Sequence, residues 1–384
     1  MKLAIVVIGY NRVNSFSRLM NSILRAEYCG DIVDLIISID NSGKDDVENV
    51  AKSINWDHGE KRIITFEERQ GLKKHILGCG KYLDEYDAIA VLEDDIAVSP
   101  AFYQYMKESV AFYKDSSEIA GISLYGYAIN ENNKYPFRAD YSEYDTYFIQ
   151  FASSWGQIWM KSQWKEFYNW YLTNDEKFGD TESIPYFVTT WPDTSWKRYH
   201  IKYCIEKDKY FAYPYMALST CFSEDGQNTN EASIILQTQL LYEFKSNYHF
   251  APFDSNSCAK YDAFFERVLP ENRNLCGIPF GEICMDLYGY GRTQNKRYVI
   301  SPQELGFKVC ASFGAVLEPQ ERNVLQGITG NVFFLYDTQT ESKFSKKEGL
   351  EFTYRYHVFT NRKTLIKEWA KKKVFCKLRK WKKR

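Results

Sequence analysis

The chain has 384 residues, 45% of them hydrophobic, enough to bury a large core and to form about two domains. The net charge of −1 hides an asymmetry: residues 361–384 hold 12 Lys/Arg and one Glu, so the remaining 360 residues carry about −12. An acidic body of this kind argues against general nucleic-acid binding, and nine scattered cysteines without a CxxC pair or His/Cys cluster argue against a zinc site and for reduced thiols in a cytosolic protein.

The N-terminal run LAIVVIGY is continuously apolar, as in a strand buried on both faces, and breaks at Gly9 too early for a secretory signal. Residues 15–26 place Phe16, Leu19, Met20, Ile23 and Leu24 on one helical face. A second buried strand is expected over DLIISID (34–40), ended by Asn-Ser-Gly. A short helix over 47–54, a third strand in RIITFE, a helix over 71–86 and a fourth strand in DAIAVLEDD (87–95) follow. A further helix is expected over 100–113. Strand–helix alternation with short connections implies an α/β fold with a mostly parallel sheet, Rossmann-like, with flanking helices. Residues 145–250 alternate aromatic strands and helices. From about 255 to 360 the Gly-rich segments CGIPFGE and YGYGR suggest a smaller, mixed and more strand-rich module. No apolar run reaches transmembrane length, and neither GxGxxG after the first strand nor GxxxxGK[ST] is present.

The sharpest chemical feature is VLEDDIAVSP. Glu93, Asp94 and Asp95 follow a hydrophobic strand and so fall at the C-terminal edge of the sheet, where open α/β sheets bind ligands. Clustered like charges repel unless a cation neutralises them, and hard oxygen donors suit Mn2+ or Mg2+, which can also grip a diphosphate. A solvated acidic turn capping the next helix would read the same.

The segments VVIGYNR, LIISIDNSG, GLKKHILGCGKYLDEYDAIAVLEDDIAVSPAFYQYM and SSWGQIWMKSQWKEF agree in order and spacing with a known family. Residues 1–120 resemble the nucleotide-sugar-binding half of bacterial family-two-like glycosyltransferases of the GT-A fold. They are also similar to the eukaryotic N-acetylglucosaminyltransferase that begins complex N-glycan branches. The resemblance runs over roughly residues 1–250, with weaker echoes in MDLYGYG and ASFGAVLEP. It implies that Gly9, Tyr10, Asn11 and Arg12 lie along the nucleotide, with Arg12 near the diphosphate. Asp40 would accept from the base, and Lys74 or His75 would face the nucleotide. Glu93 belongs to the same donor site, Asp94 would reach the ribose and Asp95 would be the direct metal ligand. Trp155 and Gly156 would wall the donor and acceptor cleft. The loop CFSEDGQNTN, with Asp225 and Gly226, would close over the site; a surface turn is the plain alternative.

Inverting transfer needs a general base on the acceptor hydroxyl. The resemblance points to Asp193 in TTWPDTSWKRYH, although Asp-Thr-Ser-Trp here is one residue longer than the family's pattern. A helix N-cap fits the same residue, and Glu182 and Asp180 are the fallback bases. The implied activity is metal-dependent transfer from a nucleotide-sugar, UDP-linked by preference, to an oligosaccharide or lipid-linked saccharide in surface-polysaccharide assembly. A nucleotidyltransferase and a non-catalytic sugar-binding module are the alternatives.

In the basic tail, Ile366, Ala370, Val374, Leu378 and Trp381 fall on one helical stripe, widened by Leu365, Trp369 and Phe375, with basic residues around it. That pattern suits an interfacial helix on an anionic membrane surface, which would make the enzyme peripheral at the cytoplasmic face; a solvated basic tail is the alternative.

Overall fold

The structure is a computed structural model and describes residues 1–174, 183–222 and 234–342. In chain order the first half contains β1 (Leu3–Gly9), α1 (Val13–Leu24), β2 (Asp34–Ile39), α2 (Asp46–Ser53), β3 (Lys61–Thr65), α3 (Leu72–Gly78), a 3-10 segment (Cys79–Asp84), β4 (Ala88–Glu93), β5 (Ile96–Val98) and α4 (Phe102–Tyr113). There follow β6 (Ile119–Ser123), β7 (Thr146–Ile149), β8 (Gln157–Met160), α5 (Lys161–Asn174), α6 (Tyr186–Thr189), α7 (Trp196–Glu206), β9 (Tyr210–Pro214) and β10 (Ser219–Cys221).

All residues of β1 and β2 are buried, which is why neither alternates polar with apolar: each is covered on both faces. β1 pairs in parallel with β2 on one side and β4 on the other, and β2 pairs in parallel with β3. The strand order β3-β2-β1-β4 therefore reverses between β1 and β4, the position at which open α/β sheets form a ligand crevice. The register sets Gly9 beside Ile39 and Ile8 beside Glu93, so the loops after β1, β2 and β4 leave the sheet side by side. Beyond β4 the sheet continues through antiparallel β8 to β6, β9 and β7.

Helix α1 buries Phe16, Leu19, Met20 and Ile23 as its periodicity requires. The helix expected over 71–86 is instead α3 followed by the 3-10 segment. Two glycines, Gly78 and Gly80, weaken the α-helix at that point, and a Cβ on Gly80 would collide with the Trp164 indole. The tighter winding lets that ring, stacked 4.0 Å from Trp159, close against the backbone.

The second half adds β11 (Lys260–Tyr261), β12 (Asn274–Leu275), β13 (Ile278–Pro279), β14 (Ile283–Met285), β15 (Tyr298–Ser301), β16 (Phe307–Phe313), α8 (Glu321–Leu325) and β17 (Phe333–Glu341). β11 joins the large sheet beside β7, and a separate four-stranded sheet runs β14-β15-β17-β16 over its own small core of Leu287, Ile300, Phe313, Val324 and Leu335. Tyr261 donates its hydroxyl to Glu321 at 2.6 Å, and Arg322 reaches Asp140 at 2.7 Å, fastening α8 to the main body.

Candidate functional site

The three carboxylates that end β4 have three different environments. Arg12, in the loop after β1, pairs its guanidinium with Asp94 and lies 3.6 Å from Asp95. It occupies the capping position of α1 without a side-chain cap bond, because the side chain is turned to this acidic edge. Burial lowers the Arg12 pKa, but Asp94, Asp95 and Glu93 together outweigh it and hold the guanidinium charged. Glu93 is pushed well above the usual carboxylate range by burial first, then by Asp95 and Asp94; Arg12 and Lys197 oppose the shift. Its Oε1 is buried without a hydrogen-bond partner among the described residues. The Asp94 side chain is 7% exposed and that of Asp95 25%. Asp95 is thus more accessible than Asp94 to a ligand arriving from solvent.

Among the described residues, no group of three His, Cys, Asp or Glu side chains is arranged to hold a metal ion. The donor chemistry at the β4 edge still suits a hard cation that takes one or two carboxylates and completes its shell with phosphate oxygens. Asp95 would be the first such donor, with Asp94 behind it under Arg12.

Asp40, directly after β2, does more than the sequence suggested. Its Oδ1 accepts from the backbone N–H of Asn41 at 2.8 Å and of Gln70 at 2.7 Å, and its Oδ2 from that of Gly71 at 2.9 Å. It thereby ties the turn that opens α3 to the end of β2. Gly71 has φ of +74°, a conformation glycine adopts at no steric cost. A carboxylate offers about four lone-pair sites, so one remains for a ligand donor. Tyr10 is half-buried beneath the Arg69 guanidinium at 5.2 Å, and Asn11 is exposed.

His75 is buried, with Nε2 2.7 Å from Ser38 Oγ and its ring edge-on to Phe66. Burial lowers its pKa to about 4, against the pull of Asp40, so it is neutral at ordinary pH. Lys74 is exposed. Both line a cavity of about 560 Å³ together with Ser38, Phe66, Tyr171 and Asp193. The fold thus brings Lys74 and His75 to the same cavity as Asp193, while the acidic triplet does not line it.

Asp193 lies two residues before the capping position of α7, which is Ser195 and makes no side-chain cap bond. Its side chain is 65% exposed and accepts from Arg198 Nη1 at 2.8 Å; Arg198 itself is buried. The aspartate is therefore oriented by the first turn of α7 rather than capping it.

Gly156 has φ of +88°, and a Cβ there would lie 3.1 Å from Ser219 Oγ and 3.3 Å from Leu124. This close approach sets the half-buried Trp155 ring against Tyr125, 4.7 Å away. Two residues that the sequence did not suggest complete this wall. Lys197, in the first turn of α7, lies 4.7 Å from the Trp155 ring, 5.0 Å from Phe151 and 5.4 Å from Trp191. It pairs with Glu131, which also accepts from the Tyr127 hydroxyl at 2.6 Å. In the sequence only the adjacency of Lys197 to Trp196 pointed to it, and the irregular segment AINENNKYP offered no signal for Glu131.

Glu182 and Asp180, the loop from Ser223 through Asp225 and Gly226, and the tail over 361–384 lie outside the described residues. No described helix is long and apolar enough to cross a membrane. No disulfide joins any of the eight described cysteines.

Residues 12–177, under half of the chain, match a family described as the SPBC1E8.03c C-terminal domain. No curated protein matches the chain. Among solved structures, S. aureus TarS 1–349 is similar at 14% identity and a TM-score of 0.35, over 57% of this chain and 60% of that one. TarS 1–349 in complex with UDP-GlcNAc gives 13% identity and a TM-score of 0.37, over 59% and 60%. Mannosyltransferase PcManGT from Pyrobaculum calidifontis, in complex with GDP-Man and Mn2+, gives 10% and 0.34, over 56% and 57%. This chain thus spans about three fifths of each of those structures.

Proposed function

We propose that this protein is a GT-A-type glycosyltransferase that moves a sugar from a nucleotide-sugar, UDP-linked by preference, to a saccharide acceptor in surface-polysaccharide assembly. The observation that carries the reading is the register at the sheet's reversal point: the loop Gly9–Arg12, Asp40 and the Glu93–Asp95 edge leave adjacent strands side by side. In this reading residues 1–250 form the transferase domain and 255–360 an accessory module.

Asp40 and the loop Tyr10–Arg12 take the nucleoside, while Asp94 and Arg12 face its ribose and diphosphate. A bound Mn2+ or Mg2+ at Asp95 would offset charge on the departing nucleoside diphosphate. Asp193, oriented by Arg198, takes the proton of the attacking acceptor hydroxyl, and Trp155 and Gly156 wall the cleft. Single displacement with one such base inverts the anomeric centre. The test is incubation of the full chain with UDP-, GDP- and CMP-sugars and Mn2+, following nucleotide release. Slow release from one donor class is expected. Tight donor binding with no release from any of them would leave a binding module.

The basic tail extends the reading to location: peripheral attachment at the inner face of the plasma membrane, near a lipid-linked acceptor. Each basic residue near an anionic surface contributes on the order of 1 kcal/mol, screened by salt. Co-sedimentation with anionic vesicles at low salt should be lost on deletion of residues 361–384. Equal behaviour of the two forms would remove the membrane from the proposal.

A further inference from the structure

Arg12 is fixed by one part of the fold and the acidic edge by another. The Arg12 carbonyl accepts from the Phe16 N–H at 2.9 Å, which anchors its main chain at the start of α1. Glu93 ends β4 and lies in register beside Ile8 of β1, so Asp94 and Asp95 leave the sheet next to the loop that carries Arg12. The long arginine side chain crosses that gap. Its Nη2 donates to Asp94 Oδ1, its Nε donates more loosely to Asp94 Oδ2 at 3.4 Å, and Nη2 lies 3.6 Å from Asp95 Oδ2. One guanidinium thus grips Asp94 with two prongs and reaches Asp95 as well.

Neighbouring carboxylates at one strand end repel unless a cation offsets them. A guanidinium keeps its proton at any ordinary pH, so Arg12 is a permanent counter-charge. Its planar fork matches a carboxylate and matches a phosphate equally well. The Arg12 side chain is 27% exposed, so the guanidinium can change partners while the main chain at the start of α1 stays in place. A divalent cation at Asp95 would draw on the same negative charge as Arg12, and the two cations would repel each other. A diphosphate alters that balance, because its oxygens offer the guanidinium a second partner of suitable geometry.

We propose that Arg12 is a built-in counter-cation of the acidic edge, which competes with a divalent metal for Asp94 and Asp95 and yields when a diphosphate takes over its guanidinium. Metal and nucleotide then bind as a pair. Either one alone must disturb the Arg12–carboxylate contact without fully replacing it. Together they replace it with a metal–carboxylate contact and an arginine–phosphate contact. The coupling is reciprocal: the metal raises nucleotide affinity by the same factor by which the nucleotide raises metal affinity. Arg12 would in this way keep a metal from settling at the edge before the donor arrives. The inference rests on the nucleotide-sugar reading for the diphosphate; the competition itself rests on the contacts of Arg12.

The experiment titrates Mn2+ into the full chain, with and without UDP, and follows the paramagnetic resonance signal of free Mn2+. It compares the unaltered protein with Arg12→Met, Arg12→Lys and Arg62→Met. Without UDP, Arg12→Met should take up Mn2+ about tenfold more tightly, the effect of one charged contact given up. UDP should strengthen Mn2+ binding to the unaltered protein more than to that variant. Arg12→Lys keeps the charge and loses the fork, so it should gain less, about threefold, and it serves if Arg12→Met fails to fold. Arg62 pairs with Glu85, which precedes β4 at the opposite end from the triplet. Arg62→Met thus removes one positive charge away from the acidic edge and should leave Mn2+ uptake unchanged. Unchanged or weaker uptake in Arg12→Met, or an equal gain in Arg62→Met, would overturn the proposal. Unchanged uptake in Arg12→Met alongside Mn2+-dependent UDP binding removes the competition and leaves the transferase reading standing. Tighter uptake in Arg12→Met with no UDP binding by any form keeps the competition and removes that reading. No Mn2+ uptake by any form, with UDP or without, removes the metal and the proposal together.

Discussion

Lys197 sets its ammonium 2.8 and 2.9 Å from the two carboxylate oxygens of Glu131, and both side chains are buried. The pair joins the first turn of α7 to the segment before β7, beneath Trp155. The Lys197 charge also favours the ionised form of Glu93. Removing one partner leaves the other charge buried and unpaired, which costs about 3–5 kcal/mol, whereas removing both costs far less. Lys197→Met should therefore lose that much stability in urea denaturation, and adding Glu131→Gln should recover most of it. Additive losses would show that the two side chains do not act as a pair.

The different environments of the acidic triplet separate Glu93 from Asp95. Glu93 is half-buried and pushed toward its neutral form, so Glu93→Gln should leave stability within about 1 kcal/mol and nucleotide binding nearly unchanged. Asp95 is more accessible than its neighbour Asp94, and Asp95→Ala should keep the melting temperature while abolishing the Mn2+-dependent part of UDP binding. Calorimetry of UDP binding with Mn2+ and with EDTA reads both. Equal affinity in EDTA and Mn2+ for the unaltered protein would remove the metal from the site.

Asp193 is exposed at the mouth of the cavity and held by Arg198, so its carboxylate is both oriented and accessible. Asp193→Asn should lower turnover by about 10²–10⁴-fold, the usual range for loss of a general base, with UDP affinity unchanged. NMR of the product should show the inverted anomer. A retained anomer, or full turnover in the variant, would assign the base elsewhere.

The parallel half of the sheet was readable because its strands are short, wholly apolar and separated by amphipathic helices, as LAIVVIG and DLIISI show. The position of the acidic edge was readable because the three carboxylates directly follow such a strand and so fall at its C-terminal end. What the sequence hid depends on contacts between distant segments. Asp40 reads as a ligand acceptor, yet three backbone donors at Asn41, Gln70 and Gly71 already use it as a staple. The pairing of Arg12 with Asp94 spans 82 positions, and no local pattern encodes it. The break of the helix after Gly78 follows from the Trp164 ring, more than eighty residues on, which leaves no room for a Cβ at Gly80.

His200 yields a prediction about acid stability. It lies in α7 with its ring stacked 3.9 Å from Phe167 and edge-on to Phe211 at 5.0 Å, and it is 1% exposed. Neither ring nitrogen has a hydrogen-bond partner among the described residues. Burial lowers its pKa to about 3, against about 6.5 in an unfolded chain. Between those values the unfolded state binds a proton that the folded state refuses. Stability is therefore whole above about pH 6.5 and falls as the pH drops toward 3, by at most about 1.4 kcal/mol per pH unit from this group. Glu266 and Glu321, raised by burial, act with the opposite sign, but they are common to both proteins and cancel in a difference. His200→Phe keeps an aromatic ring in the stack and removes the proton. Urea midpoints of variant and unaltered protein, compared from neutral pH to about pH 4.5, should diverge in the variant's favour as the pH falls. A gap that stays constant across that range would mean that His200 protonates as readily in the folded chain as in the unfolded one, and that the site admits water or a partner on acidification.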